Sequence, residues 1–163
     1  MFVIETVYSE PEMTRAQNWH WKKYRMLQHW WTIGGALAVV IGLAYATVNF
    51  ALGGLLMVYG GYCLLRKRML GSQFLKSIRS SPDLGKTLRW TVSEERIVQE
   101  IGESAAQISW TSILQSIITP DGILVYTQKN VYFWIPTDCL EGTPEKAALN
   151  KLVEFKTRSK KLS

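Results

Sequence analysis

The stretch MLQHWWTIGGALAVVIGLAYATVNFALGGLLMVYGGYCLL, Met26 to Leu65, decides the architecture, because its 40 residues hold no Asp, Glu, Lys or Arg. All the charge of the 163-residue chain, 19 basic and 13 acidic side chains, lies outside it. A bilayer core of about 30 Å is crossed by roughly 20 helical residues, whereas a single helix of this length would run about 60 Å. The block therefore predicts two spans, at about 30–46 and 50–65. The chain should reverse at Ala46-Thr47-Val48-Asn49-Phe50, where β-branched residues and a lone Asn interrupt the Ala/Leu/Gly pattern. A buried helical hairpin of a soluble protein would need an apolar cover, and no other segment is apolar enough to supply one.

Working outward, Lys22, Lys23 and Arg25 precede the first span and Arg66, Lys67 and Arg68 follow the second, while the reversal is uncharged. Excess Lys and Arg stays on the cytoplasmic side, so both termini are expected in the cytoplasm. Trp19, Trp21, Trp30 and Trp31 before the first span, with Tyr59 and Tyr62 in the second, suit an interfacial aromatic belt. Lys22 to Arg25, the apolar run and Ala44-Tyr45-Ala46 imitate a signal peptide. Some 20 structured-looking residues precede that basic region, however, and cleavage would leave a second apolar run, so an uncleaved hairpin is the better reading. Gly34, Ala38, Gly42 and Ala46 recur every fourth residue, and Gly53, Gly54, Gly60 and Gly61 supply smooth surface on the second span. Span-to-span packing is expected at Gly34, Ala38, Gly42, Gly53 and Gly60. Neither span carries an ionisable group, which argues against a transporter or channel.

Before the block, Phe2 to Val7 is β-rich and Ser9-Glu10-Pro11-Glu12 has capping-box spacing. A short strand should precede a helix from about Glu10 through Trp21 into the first span. A lone strand is not stable, so it is expected to join the C-terminal sheet. After Arg68, the pattern Met69, Leu70, Phe74, Leu75 and Ile78 continues a helix to Ser80-Ser81-Pro82-Asp83. Its basic residues Arg66, Lys67, Arg68, Lys76 and Arg79 could attract anionic headgroups at about 1 kcal/mol each. From Gly85 the period becomes two. Strands are expected near Leu88–Val92, Ile97–Ile101, Ala106–Trp110, Ile113–Thr119, Ile123–Thr127 and Val131–Ile135, separated by turn residues. A helix with Thr143 as cap and Pro144 in its first turn should follow, ending in a basic tail, Lys156 to Lys161. The whole reads as a membrane α+β chain. Residues 1–29 form an N-terminal strand and helix, 30–65 the transmembrane helical hairpin, and 66–82 a basic juxtamembrane helix. Residues 83–163 form a small antiparallel partial barrel with a C-terminal helix.

Trp110-Thr111-Ser112-Ile113, then Asp121-Gly122-Ile123-Leu124-Val125-Tyr126, then Tyr132-Phe133-Trp134-Ile135-Pro136 and the closing helix resemble the YcxB-like proteins of bacteria. The resemblance implies a bacterial inner-membrane protein with two spans and a cytoplasmic domain similar to pleckstrin-homology-like modules, and brings no catalytic residue with it. Taken physically, Trp110 and Trp134 are large enough to dominate so small a core, and Pro136 should end its strand. Tyr126, Tyr132 or Trp134, where exposed, would be contact residues for a partner.

No chemistry-bearing pattern stands out. His20 and His29 have no ligand-spaced neighbours, the two cysteines Cys63 and Cys139 are read as reduced and structural, and Glu94-Glu95 reads as a solvated turn. No phosphate-binding glycine loop or hydrolase motif occurs, so no cofactor, metal or enzymatic activity is expected. The net charge of +6 is concentrated at the block's flanks and the tail, which argues against nucleic acid. The expected partners are the lipid bilayer and an unknown protein or a second copy; the alternatives are binding of anionic headgroups by the basic juxtamembrane helix and the β domain and, behind both, an enzyme acting at the membrane surface.

Overall fold

The computed structural model describes residues 1–140 and 142–162, apart from the side chains of Arg25 and Leu27. The chain divides into two units, residues 1–20 with 79–163, and residues 21–78.

The first unit is built on two four-stranded sheets. One has the order β1-β2-β3-β4, from Phe2–Val7, Thr87–Val92, Arg96–Ile101 and Ser104–Ser109, all antiparallel. The N-terminal strand does pair with the C-terminal segment, Ile4 opposite Trp90. The other has the order β7-β6-β5-β8, from Tyr132–Pro136, Gly122–Tyr126, Gln115–Ile118 and Ser159–Lys161. Alternation in the first sheet sends Ile4, Leu88, Trp90, Val92, Ile97 and Ile108 inward. They meet Ile118, Ile123, Val125 and Ile135 of the second sheet, and Leu149 and Val153 of the helix Pro144–Lys156 (here α4, numbered with the three helices described below).

Three local readings are revised. Trp110 lies in a short 3-10 turn, Trp110–Ser112, not at a strand end; it is buried in this core and its indole N–H donates to the Ser93 carbonyl at 3.0 Å. Thr143 occupies the N-cap of α4, but its hydroxyl donates to the Leu140 carbonyl at 2.7 Å rather than capping the helix. The basic tail contains a strand that the sequence reading does not include, β8, which runs parallel to β5 with Ser116 opposite Ser159. An edge strand needs only main-chain partners on one side, so Lys160 and Lys161 can stay in water.

The second sheet is covered on both faces at its centre, which explains why every residue of Gly122–Tyr126 is buried. Its outer residues Ile117, Leu124, Tyr126 and Trp134 pack against Ala16 and Trp19 of α1, Glu10–Lys23. Trp19 therefore belongs to a protein core and not to an interfacial belt.

In the second unit, α2 (Arg25–Ala46) and α3 (Phe50–Arg79) form an antiparallel hairpin. The expected continuous helix from Glu10 into the first span is broken at Tyr24. Asn49 ends the reversal, its side-chain oxygen accepting from the Leu52 N–H at 3.1 Å. Among the described residues one helical segment, Gln28–Ala46, is long and apolar enough to cross a membrane. The charge-free part of α3, Phe50 to Leu65, would rise about 24 Å, short of a bilayer core near 30 Å.

The helices touch through glycine. A Cβ on Gly42 would lie 2.8 Å from the Gly53 carbonyl oxygen, one on Gly53 2.5 Å from the Ala46 nitrogen, and one on Gly60 2.6 Å from the Gly35 carbonyl oxygen. Gly34 has no described atom within 4 Å of such a Cβ, so the contact belongs to Gly35. Helix periodicity gives the reason: positions seven apart lie about 20° from one another, whereas Gly34 lies about 80° round the helix from Gly42. Ala38 is half-buried on the same helix. Cys63 is a buried free thiol against Gly35, whereas Cys139 is an exposed free thiol and so not a core residue.

Matched substitutions test this seam. Gly53→Ala and Gly60→Ala should each destabilise the hairpin by about 1–3 kcal/mol through overpacking. Gly54→Ala and Gly61→Ala, where a Cβ meets open space, should be neutral or gain up to about 1 kcal/mol of helix propensity. Thermal unfolding of the full chain in detergent reads the difference.

Candidate functional site

The residues singled out in the second sheet converge under α1. Helical spacing places Glu12, Met13, Ala16, Trp19 and His20 on one face of α1, and strand alternation points Leu124, Tyr126, Tyr132 and Trp134 at it. Polar tips meet at each apolar contact. The Trp19 indole N–H donates to Asp121 Oδ2 at 2.8 Å, and the Trp134 indole N–H donates to Glu12 Oε2 at 3.1 Å. The Tyr132 hydroxyl donates to Gln17 Oε1, and His20 Nδ1 is 2.9 Å from the Tyr126 hydroxyl. The imidazole stacks on both phenols, with ring centroids 4.8 Å away for Tyr132 and 5.9 Å for Tyr126. Arg15 closes the edge by pairing with Glu12 at 3.2 Å and with Asp138.

The turn before β6 is shaped for this contact. Thr119 receives and returns hydrogen bonds across Pro120-Asp121, its hydroxyl donating to the Gly122 carbonyl at 2.7 Å and accepting from the Gly122 N–H at 3.1 Å. That holds Asp121 beneath Trp19. A Cβ on Gly122 would lie 2.6 Å from the Trp134 ring, so glycine is required there for close approach. Trp134, Tyr126 and Pro136 are all buried, Pro136 ending β7 as expected. The aromatic group is thus occupied by the chain's own helix and is not an open partner surface.

The arrangement holds a helix against the sheet. Among the described residues no cluster of His, Cys, Asp or Glu could hold a metal ion. Burial, and then the neighbouring Tyr8, push the Tyr132 phenol well above its ordinary value, so its proton stays in place and continues to serve Gln17.

The basic residues lie elsewhere. Arg66 places its guanidinium 4.7 Å from the centre of the Trp31 ring, while Lys67, Arg68 and Lys76 are exposed on α3. Lys22 and Lys23 close α1, Lys23 lying 5.3 Å from the Tyr24 ring; the side chain of Arg25 lies outside the described residues. Arg79 is committed within the first unit, where its Nε and Nη2 donate to Glu10 at 2.8 and 2.7 Å and hold that carboxyl below the usual range. Sequence reasoning named Glu12 and Asp121 only as a capping residue and a motif residue and missed Arg15, Gln17 and Asp138. The available signal was the spacing of Met13, Ala16 and His20 on one helical face.

The class defined is a two-sheet β domain closed by α4 and clasped by an N-terminal helix. Residues 92–153 match the family model of the YcxB-like proteins, a stretch well under half of the chain that takes in β3 to β7 and most of α4, but only the last residue of β2 and none of β1, α1 or β8. No curated protein and no solved structure matches this chain.

Tyr132→Phe should lower the stability of the first unit by about 1 kcal/mol by deleting the bond to Gln17. Because folding raises the phenol's affinity for its proton, the stabilisation is complete below an unfolded value near 10 and is lost as pH rises above it. Denaturant unfolding from pH 8 to 12 should show an alkaline loss in the parent that is reduced in Tyr132→Phe.

Proposed function

We propose that this chain is a non-enzymatic protein of the bacterial inner membrane whose α2–α3 hairpin crosses the bilayer twice, both termini cytoplasmic, and displays a pleckstrin-homology-like β domain for interaction with a protein or with itself. One observation carries the reading. The hairpin leaves apolar side chains exposed around its length, Ile33, Leu37, Val40 and Ile41 on α2 and Leu55 and Val58 on α3, with Val40 at 63% and Val58 at 73% exposure. Water would oppose that surface at about 25 cal/mol per Å², whereas lipid would not. Charge appears only at the open end, where Lys22, Lys23, Arg66, Lys67 and Arg68 favour retention in the cytoplasm. The shortness of the charge-free part of α3 is accommodated by Arg66 and Lys67 reaching toward the headgroups along their aliphatic stems.

A second reading, binding of anionic headgroups by the juxtamembrane helix, is supported by Arg66, Lys67, Arg68 and Lys76 following one another on α3 with no acidic residue between. A fragment beginning at Ser81 would lack β1 and α1, so the full chain is the proper material.

In carbonate-washed membranes the full chain should remain in the pellet, and reporters fused to either end should be active only in their cytoplasmic form. Release by carbonate would contradict anchoring, and a periplasmic C-terminus would contradict the topology. Reconstitution into neutral and anionic vesicles with limited proteolysis of α3 tests the second reading: anionic lipid should protect the segment around Lys76, and added salt should remove the protection.

A further inference from the structure

Among the described residues, the sheet edges of the first unit are guarded unequally. β1 lies beside β7, and β8 is a three-residue edge carrying Lys160 and Lys161. β4 differs: it is six residues long, Ser-Ala-Ala-Gln-Ile-Ser, uncharged, and exposed from Ser104 through Gln107 on both of its faces. Proteins ordinarily blunt such an edge with charge, proline or a cover, because it is a template for another strand.

The register fixes what the edge offers. Ile101 pairs with Ser104 across the two-residue loop Gly102-Glu103, with Gly102 at φ +56°, as the first position of a tight hairpin turn requires. In such a hairpin the flanking pair exchanges both main-chain hydrogen bonds, so bonding to β3 falls on Ser104, Ala106 and Ile108. The N–H and C=O groups of Ala105, Gln107 and Ser109 point to the open side.

We propose that β4 is a self-association edge, pairing antiparallel with β4 of a second copy about a two-fold axis at Gln107 and joining the two first sheets into one. Only that centre uses all the outward groups: Gln107 meets Gln107, and Ala105 meets Ser109, in both directions. The Ser109 carbonyl already accepts from the Ser112 hydroxyl at 2.7 Å and takes the new bond on its second lone pair.

Charge selects a second copy over an unrelated strand. On the outer face of the sheet, Arg96 stands opposite Ser109 and Glu100 opposite Ala105. The two-fold sets Ser109 against Ala105 of the second copy. One row of the joined sheet then reads Arg96, Ser109, Ala105, Glu100, its last two members from the second copy, and the equivalent row lies on the other side of the axis. Small side chains stand between cation and carboxylate, and Arg96 already leans toward the edge, its Nη1 donating to Gln107 Oε1 at 3.1 Å, so the two groups attract as charges across the joined face and not as a direct contact. The central row, Val98, Gln107, Gln107, Val98, has no charge to repel. One strand pair buries less than the roughly 1,000 Å² of a stable interface in solution, so the proposal rests on the membrane anchoring proposed above, which supplies concentration by confinement.

The test uses the full chain in lipid vesicles, with Cys63→Ala and Cys139→Ser and a single new thiol from Gln107→Cys at the axis or Arg89→Cys on the outer face. A short bifunctional thiol reagent should give at least ten-fold more covalent dimer from Gln107→Cys. Adding Arg96→Glu should cut that yield several-fold, and adding Glu100→Arg to it should restore the yield. Equal yields from the two positions, with the protein recovered in the vesicle pellet, would overturn the strand pairing and leave the anchor intact. Protein recovered in the supernatant would overturn the anchor and the proposal with it.

Discussion

The outer face of the second sheet is the constraint from which the rest of the first unit follows. Ile117, Leu124, Tyr126 and Trp134 cannot be left in water, and α1 is what covers them. Because α1 precedes the hairpin in the chain and the sheet follows it, the β domain can close only if its two segments meet again after residues 21–78 have been inserted. The antiparallel register of β1 with β2 and the ion pair of Glu10 with Arg79 secure that return. Closing an insertion of this length costs little more than closing a shorter one, since the penalty grows only with the logarithm of loop length.

The clasp is more selective than an oily contact. Each large aromatic buries its body and gives its polar tip a named acceptor or partner: Trp19 with Asp121, Trp134 with Glu12, Tyr132 with Gln17, Tyr126 with His20. A shifted helix would keep some apolar contact but leave buried donors unmatched, at about 1–3 kcal/mol for each. The hairpin of the second unit uses a different device, steric exclusion. In the glycine pairs Gly34-Gly35, Gly53-Gly54 and Gly60-Gly61, one member faces the neighbouring helix and the other does not.

Much of the element order is legible in the sequence because its signals are local. The charge-free block shows in composition alone, and the alternation at Leu88, Trp90 and Val92 and the helix start at Pro144 are each read within a few neighbouring residues. What escapes are features set by distant partners. The continuous apolar run Gly122 to Tyr126 is the mark of a strand covered on both sides, but nothing within it names α1 as the cover. Ser159–Lys161 looks like a charged tail because a short edge strand needs no apolar residues. Trp19 reads as a membrane-interface residue by its position before the charge-free block, and only the pairing with Asp121 and the packing on the second sheet place it in a protein core. Gly34 and Gly35 are indistinguishable by composition and separated only by helical phase.

The most direct measurement is amide hydrogen exchange on the full chain, comparing α1 from Met13 to Trp19 with β5 and β6. If the helix is an integral layer of the domain, its amides open together with those of the strands and exchange at a similarly slow rate. Exchange of the helix amides by rapid local opening, while β5 and β6 remain protected, would contradict the account.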